Sequence, residues 1–266
     1  MAKESKRKAA TKAGYEINPW FLFFIATALL SGGWLMKSFP LLIFIGLSPL
    51  FAIADKSDSE EKFWNHAELI LIALVISLLA GHVFQLSYLI TSIIQAIGFT
   101  LAFVGYNFVR QSLGSRVGKF TIIIFWLAVE YVFLKLHWPA DGLFLADAVE
   151  LKTEWLHWTS FTGYLGSSCW ILIANLVFYL TLFKDGKPNW MWLIIFLVFV
   201  IIPIAFSFTN VGVPIAREEM MALYLNSPTD PKSIYLKRGE FIPRTAAWIS
   251  VLIFIFALVK NKTQRK

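Results

Sequence analysis

Cysteine is nearly absent: the 266 residues contain one, Cys169, which excludes a disulfide framework and any metal cluster built on cysteine. Charge is scarce too. Asp, Glu, Lys and Arg supply 15% of the chain, whereas 58% is hydrophobic and 17% aromatic. A soluble core cannot hide that much apolar surface, and several runs approach the roughly 20 residues needed to cross a bilayer. The apolar stretch after the basic first seventeen residues ends in SGGWLMKSFP, without an A-x-A cleavage pattern, so it reads as a retained first helix. The net charge of +7 does not collect in one domain. Basic residues gather at the ends of apolar runs, which argues against nucleic acid as a partner and for membrane topology.

The expected fold is all-α and polytopic. Apolar segments predict eight membrane helices near 19–36, 40–54, 66–88, 91–109, 120–136, 167–183, 189–208 and 245–260. The second is short, starts at Pro40 and is interrupted by Pro49, which predicts a tilted, broken or re-entrant segment. Eight crossings place both termini on one side, with sixteen of the 24 Lys and Arg. The positive-inside rule makes that side cytoplasmic. The chain then divides into a cytoplasmic tail (1–17), a membrane domain (18–260) and a short cytoplasmic tail (261–266), with an outer interfacial loop at 137–166 and a shorter outer segment at 210–243.

The stretch from Phe120 to Phe183 carries the features closest to chemistry or recognition. Glu130 lies inside the span FTIIIFWLAVEYVFLKL, where a carboxylate is costly and normally faces a bundle interior or a cavity. It is either a functional group or a structural carboxyl bonded to a neighbouring helix. His82 and Gln85, three apart, are expected to share a helix face that lines a lipid site or bonds another helix. Asn175 could complete an internal polar cluster with them and Glu130. The loop HWPADGLFLADAVELKTEWLHWTSFTGYLG carries Trp138, Trp155, Trp158 and Phe161 among acidic residues and reads as interfacial material. One Glu-x-x-His, Glu154 with His157, lacks the repeat that carboxylate-bridged bundle sites use, so neither metal nor cofactor is assigned.

The WxxxE of Trp126 and Glu130, the run from Trp155 through FTGYLGSS to Asn175, and the opening GGWLMKSFPLLIFIGLSPLFAI occur in an order and spacing that resemble the membrane part of bacterial apolipoprotein N-acyltransferases. The closing KRGEFIPRTAAWISVLIFIFALVKNK is similar to that family's last segment. The chain departs from it in one respect. Where the family carries a nitrilase-like catalytic domain with a Glu-Lys-Cys triad, this chain has a short outer segment without cysteine, in which REEMMALYL reads as a helix and SPTDP as a turn.

The resemblance implies a location in the bacterial inner membrane and a catalytically inactive scaffold. Glu130, His82, Gln85, Trp138, Trp155, Trp158, Phe161 and Asn175 are the candidate residues of a pocket for membrane lipid. A lipoprotein or another envelope protein is the alternative partner. The competing expectation is an acyltransferase with a non-standard site, Glu130 acting with His82, His137 or His157, or with a separate catalytic partner.

Overall fold

The structure, a computed structural model, describes residues 17–36, 40–60, 63–139, 141–183, 188–209, 212–214, 216–217, 219–220 and 239–264. It is all-helical, with no strand among the described residues. The helices are α1 (Pro19–Leu35), α2 (Ile43–Gly46), α3 (Ser48–Glu60), α4 (Phe63–Gly81), α5 (Leu89–Leu113), α6 (Ser115–Leu136), α7 (Thr159–Thr162), α8 (Tyr164–Leu182), α9 (Trp190–Thr209) and α10 (Phe241–Gln264). Each of the eight apolar segments contains helix. Four helical stretches, Leu86–Leu113, Tyr164–Leu182, Trp190–Thr209 and Phe241–Thr263, are long and apolar enough to cross a membrane, and Pro19–Leu35 and His66–Gly81 are shorter apolar helices.

Local signals account for several boundaries. The Asn18 side chain accepts from Trp20 N–H at 3.0 Å, and Pro19 opens α1 at the position where a missing N–H costs nothing. Gly114, at φ +93°, separates α5 from α6. The third apolar segment stops short of its expected end. It finishes at Gly81, and Val83 and Phe84 both turn through left-handed conformations at φ 53° and 57°. His82 and Gln85 therefore do not share a helix face. His82 stacks on Tyr88 with ring centroids 4.2 Å apart, while Gln85 is exposed before the short 3-10 turn Leu86–Tyr88.

Helix α8 is central; α9 and α10 are peripheral. On α9, Ile194, Leu197, Val198, Ile201 and Ile202 face outward, as do Val251, Leu252, Ile255 and Val259 on α10. Apolar faces this extensive are suited to lipid rather than water. Inside, Phe99 stacks on Trp126 at 4.1 Å between α5 and α6, and Phe44 meets Trp170 edge-on at 4.5 Å between α2 and α8.

The second apolar segment is broken, in the place its prolines predict. Pro49 has no N–H for the Ile45 carbonyl, and the Ser48 hydroxyl donates to that carbonyl instead, at 2.6 Å. Asn175 of α8 closes the rest of the gap: its Oδ1 accepts from Leu47 N–H at 2.7 Å and Ser48 N–H at 3.1 Å, and its Nδ2 donates to the carbonyls of Ile43 at 2.8 Å and Ile171 at 2.9 Å. Asn175 is fully buried. A similar repair occurs in α9, where Pro203 frees the Phe199 carbonyl and Trp170 Nε1–H donates to it at 3.0 Å.

Removing these patches should destabilise the bundle in proportion to the groups left without partners. In thermal unfolding of the detergent-solubilised protein, Asn175→Ala is expected to cost about 2 kcal/mol and Ser48→Ala about 0.6 kcal/mol. Equal stability of Asn175→Ala and wild type would remove Asn175 from this structural role.

Candidate functional site: the loop between α6 and α8

The loop after α6 begins at His137, whose left-handed backbone at φ 52° ends the helix. It then descends into the bundle through the 3-10 turn Leu145–Val149, whose Leu145, Ala146, Ala148 and Val149 are buried. A non-helical chain in such a place needs partners for its backbone. Side chains from the loop and from three helices, α5, α6 and α8, supply them. Gln95 of α5 pairs with Leu143 through both ends of its amide, accepting from Leu143 N–H at 2.8 Å and donating to Leu143 O at 3.0 Å. Asp147 accepts from Phe144 N–H at 2.8 Å, Glu130 Oε1 from Leu145 N–H at 2.9 Å, and Ser168 Oγ from Ala146 N–H at 3.1 Å. Four successive N–H groups, 143 to 146, are thus each held by a different side chain.

Glu130 is completely buried on α6, at 0% exposure. Its Oε1 also accepts from Trp126 Nε1–H at 3.1 Å, which explains the Trp-x-x-x-Glu spacing: the two residues are one helical turn apart on the same face. Ser168 lies beside the same carboxyl. Its other oxygen, Oε2, makes no hydrogen bond of ordinary geometry.

A second layer of charge sits on Asp147. It accepts a hydrogen bond from Tyr164 OH at the start of α8 and pairs with Arg217 at 3.2 Å, both members of the ion pair being largely buried. The Arg217 guanidinium lies 4.7 Å from the Phe144 ring centroid, so the same cation covers the loop face. The segment after α9 is fastened to the loop through this contact. Two glycines add close approaches. Gly212 packs on His157 and Ser160, while Gly239, at φ +71°, lies against the Thr162–Gly163 backbone so closely that a Cβ would meet it at 2.1 Å. Tyr131 OH donates to Glu240 at 2.8 Å, joining α6 to the start of α10.

Glu130, expected to line a pocket, is not among the residues lining the neighbouring cavity. The neighbouring cavity, lined by Trp34, Leu78, Phe99, Trp126, Leu143 and Leu145 among others, has a volume of about 20 Å³. That is room for a water molecule or so, far below the needs of an acyl chain. The anticipated cluster of His82, Gln85, Asn175 and Glu130 does not assemble either. Asn175 lies two helical turns from Ser168 and is committed to the broken helix, while the carboxyl takes its hydrogen bonds from Trp126 and Leu145 rather than from a histidine. His157 faces the Ser207 carbonyl at 2.9 Å, and Ser207 Oγ donates to Trp155 O at 2.8 Å, tying the loop to α9. Glu154 pairs instead with Lys152 at 3.9 Å. Among the described residues no group of three His, Cys, Asp or Glu is placed to hold a metal ion.

The loop aromatics divide into two kinds. Trp155 and Trp158 are half-buried; Trp158 packs edge-on against Trp170 at 5.6 Å and donates from Nε1 to Trp155 O at 3.0 Å. Trp138 and Phe161 are exposed, at 53% and 62%. In the outer segment, Arg217, Glu219 and Met220 are helical, whereas the rest of REEMMALYL and the SPTDP turn lie outside the described residues. The structure also brings in residues that sequence reasoning left unassigned: Gln95, Asp147, Tyr164, Ser168 and Arg217. Gln95 carried a usable signal, an amide within an apolar span; for Arg217 nothing in the linear sequence pointed to Asp147, 70 positions away. No family model, curated protein or solved structure matches the chain.

A carboxyl that serves as a double acceptor should tolerate its amide. Glu130→Gln, retaining Oε1, is expected to unfold within about 1 kcal/mol of wild type. Glu130→Leu, which strands the Leu145 and Trp126 donors, should lose about 2 kcal/mol or more and open the loop to limited proteolysis near Leu151. Loss of folding in Glu130→Gln would show that the charge itself is required.

Proposed function

We propose that the chain is an eight-span scaffold of the bacterial inner membrane, with both termini cytoplasmic, that resembles the membrane part of apolipoprotein N-acyltransferases. In this reading it binds a membrane lipid or a lipid-modified envelope protein as an accessory subunit and performs no acyl transfer of its own. The observation that carries the proposal is the loop fixed between α6 and α8, with Trp138 and Phe161 exposed while Glu130, Gln95 and Ser168 hold the backbone behind them. Rigid aromatics at a membrane boundary provide apolar contact area at small entropic cost. Support for an inactive role comes from the outer segment, which packs on the loop where the resembled family carries its catalytic domain, and from Cys169, which sits within α8 rather than in an exposed site.

Binding is tested with a synthetic diacylglyceryl peptide in nanodiscs. Wild-type protein should retain it, and Trp138→Ala with Phe161→Ala should weaken retention about thirtyfold, since each exposed aromatic contributes on the order of 1 kcal/mol. Equal retention would overturn the aromatic surface as the docking site. Given phospholipid and the same peptide, the purified chain should yield no N-acylated product; turnover that disappears in Cys169→Ala would establish an enzyme instead.

Orientation has its own test. In a Cys169→Ser background, a cysteine at Thr153 should react with a membrane-impermeant thiol reagent in intact cells, while cysteines at Ser5 and Gln264 should not. The reverse pattern would invert the topology.

A further inference from the structure

At the boundary between α6 and α10, two exposed cations surround a buried polar pair. Tyr131 and Glu240 are buried and joined at 2.8 Å. Lys135, one turn beyond Tyr131 on α6, approaches its hydroxyl at 3.4 Å and lies 5.6 Å from its ring centroid. Arg244, one turn beyond Glu240 on α10, approaches that carboxylate at 4.0 Å and leaves 46% of its side chain exposed. Arg244 thus stands beside the carboxylate and Lys135 beside the phenol, two cations next to one buried pair.

The surfaces below these cations are apolar and open. Trp248 and Leu252 continue the Arg244 face of α10 at four-residue intervals and are 64% and 63% exposed; Val132, three residues before Lys135 on α6, is 47% exposed. Helices α6 and α10 pack together. The site therefore offers positive charge at the level where each helix ends and a hydrocarbon-facing surface within the span. A phospholipid has the complementary order, an anionic phosphate above acyl chains.

We infer that Lys135 and Arg244 hold the phosphate of one membrane phospholipid whose acyl chains lie along Val132, Trp248 and Leu252. This inference rests only on the chain being embedded in a membrane. It is independent of the loop aromatics and of any lipid-modified partner, and its failure is separable from failure of binding at Trp138 and Phe161.

The test is native mass spectrometry of the full chain in a non-ionic detergent, titrated with dioleoylphosphatidylglycerol, with dioleoylglycerol, or with inorganic phosphate. Wild type should retain one phosphatidylglycerol and bind the diacylglycerol and free phosphate at least about tenfold more weakly, since neither probe offers both halves of the contact. Lys135→Gln with Arg244→Gln should lower phosphatidylglycerol retention by about tenfold while leaving diacylglycerol unchanged, and Lys135→Arg with Arg244→Lys should restore most of it. Comparable retention of phosphatidylglycerol and diacylglycerol by wild type would reduce the two cations to side chains snorkelling to water. Free phosphate bound as tightly as the lipid would overturn the lipid assignment. So would unchanged lipid retention in the folded double glutamine variant. The comparison of the three probes on wild type decides the matter even if a variant fails to fold.

Discussion

Backbone hydrogen bonding inside an apolar bundle governs this structure. Wherever the helical ladder is interrupted, the released N–H and C=O groups have no water to turn to, and each unmet group costs free energy. The interruptions at Leu47–Pro49, at Pro203 and along residues 143–146 are met by side chains from other segments or from the adjoining residue. The polar residues that look anomalous in apolar runs, Gln95, Glu130, Ser168 and Asn175, are largely accounted for by this requirement.

The same requirement orders the site. With the loop backbone fixed, Asp147 is held where it can receive Phe144, Tyr164 and Arg217 together, and Arg217 in turn fastens the segment after α9 to the loop. Two further contacts, His157 with Ser207 and Gly239 with Thr162–Gly163, fix the same region to α9 and to the approach to α10. The loop is therefore a part of the packed bundle with an aromatic outer edge. The cavity beside it, about 20 Å³, is too small for an acyl chain, and the proposed function places recognition on the exposed aromatics.

At the opposite end of the helices, a second charged group binds four segments. Asp55 of α3 is contacted by Arg110 of α5, Lys119 of α6 and Tyr179 of α8, with Lys119 also 5.2 Å from the Tyr179 ring centroid. The broken second segment is thereby pinned twice, by Asn175 within the bundle and by Asp55 at its end. A half-length helix packed between longer ones needs such fixed points, because its own propensity is too weak to hold it.

The linear pattern determined the all-helical class and the places of the helices, because apolar runs near bilayer length leave few alternatives and proline marks an interruption wherever it falls. It also determined that Glu130 and Asn175 needed internal partners, since amides and carboxylates in apolar spans are too costly to leave exposed to lipid. Which partners they took was a tertiary matter. The continuous apolar run through Leu86 hid the end of α4 at Gly81, where the chain turns at Val83 and Phe84 and separates His82 from Gln85. Glu130 met Leu145, 15 residues on, and Asn175 met Leu47, 128 residues back. Short polar side chains carry no sequence mark of the distant backbone group that they will bond. Only the packing of α5, α6 and α8 around the loop brought donor and acceptor to within 3 Å or so.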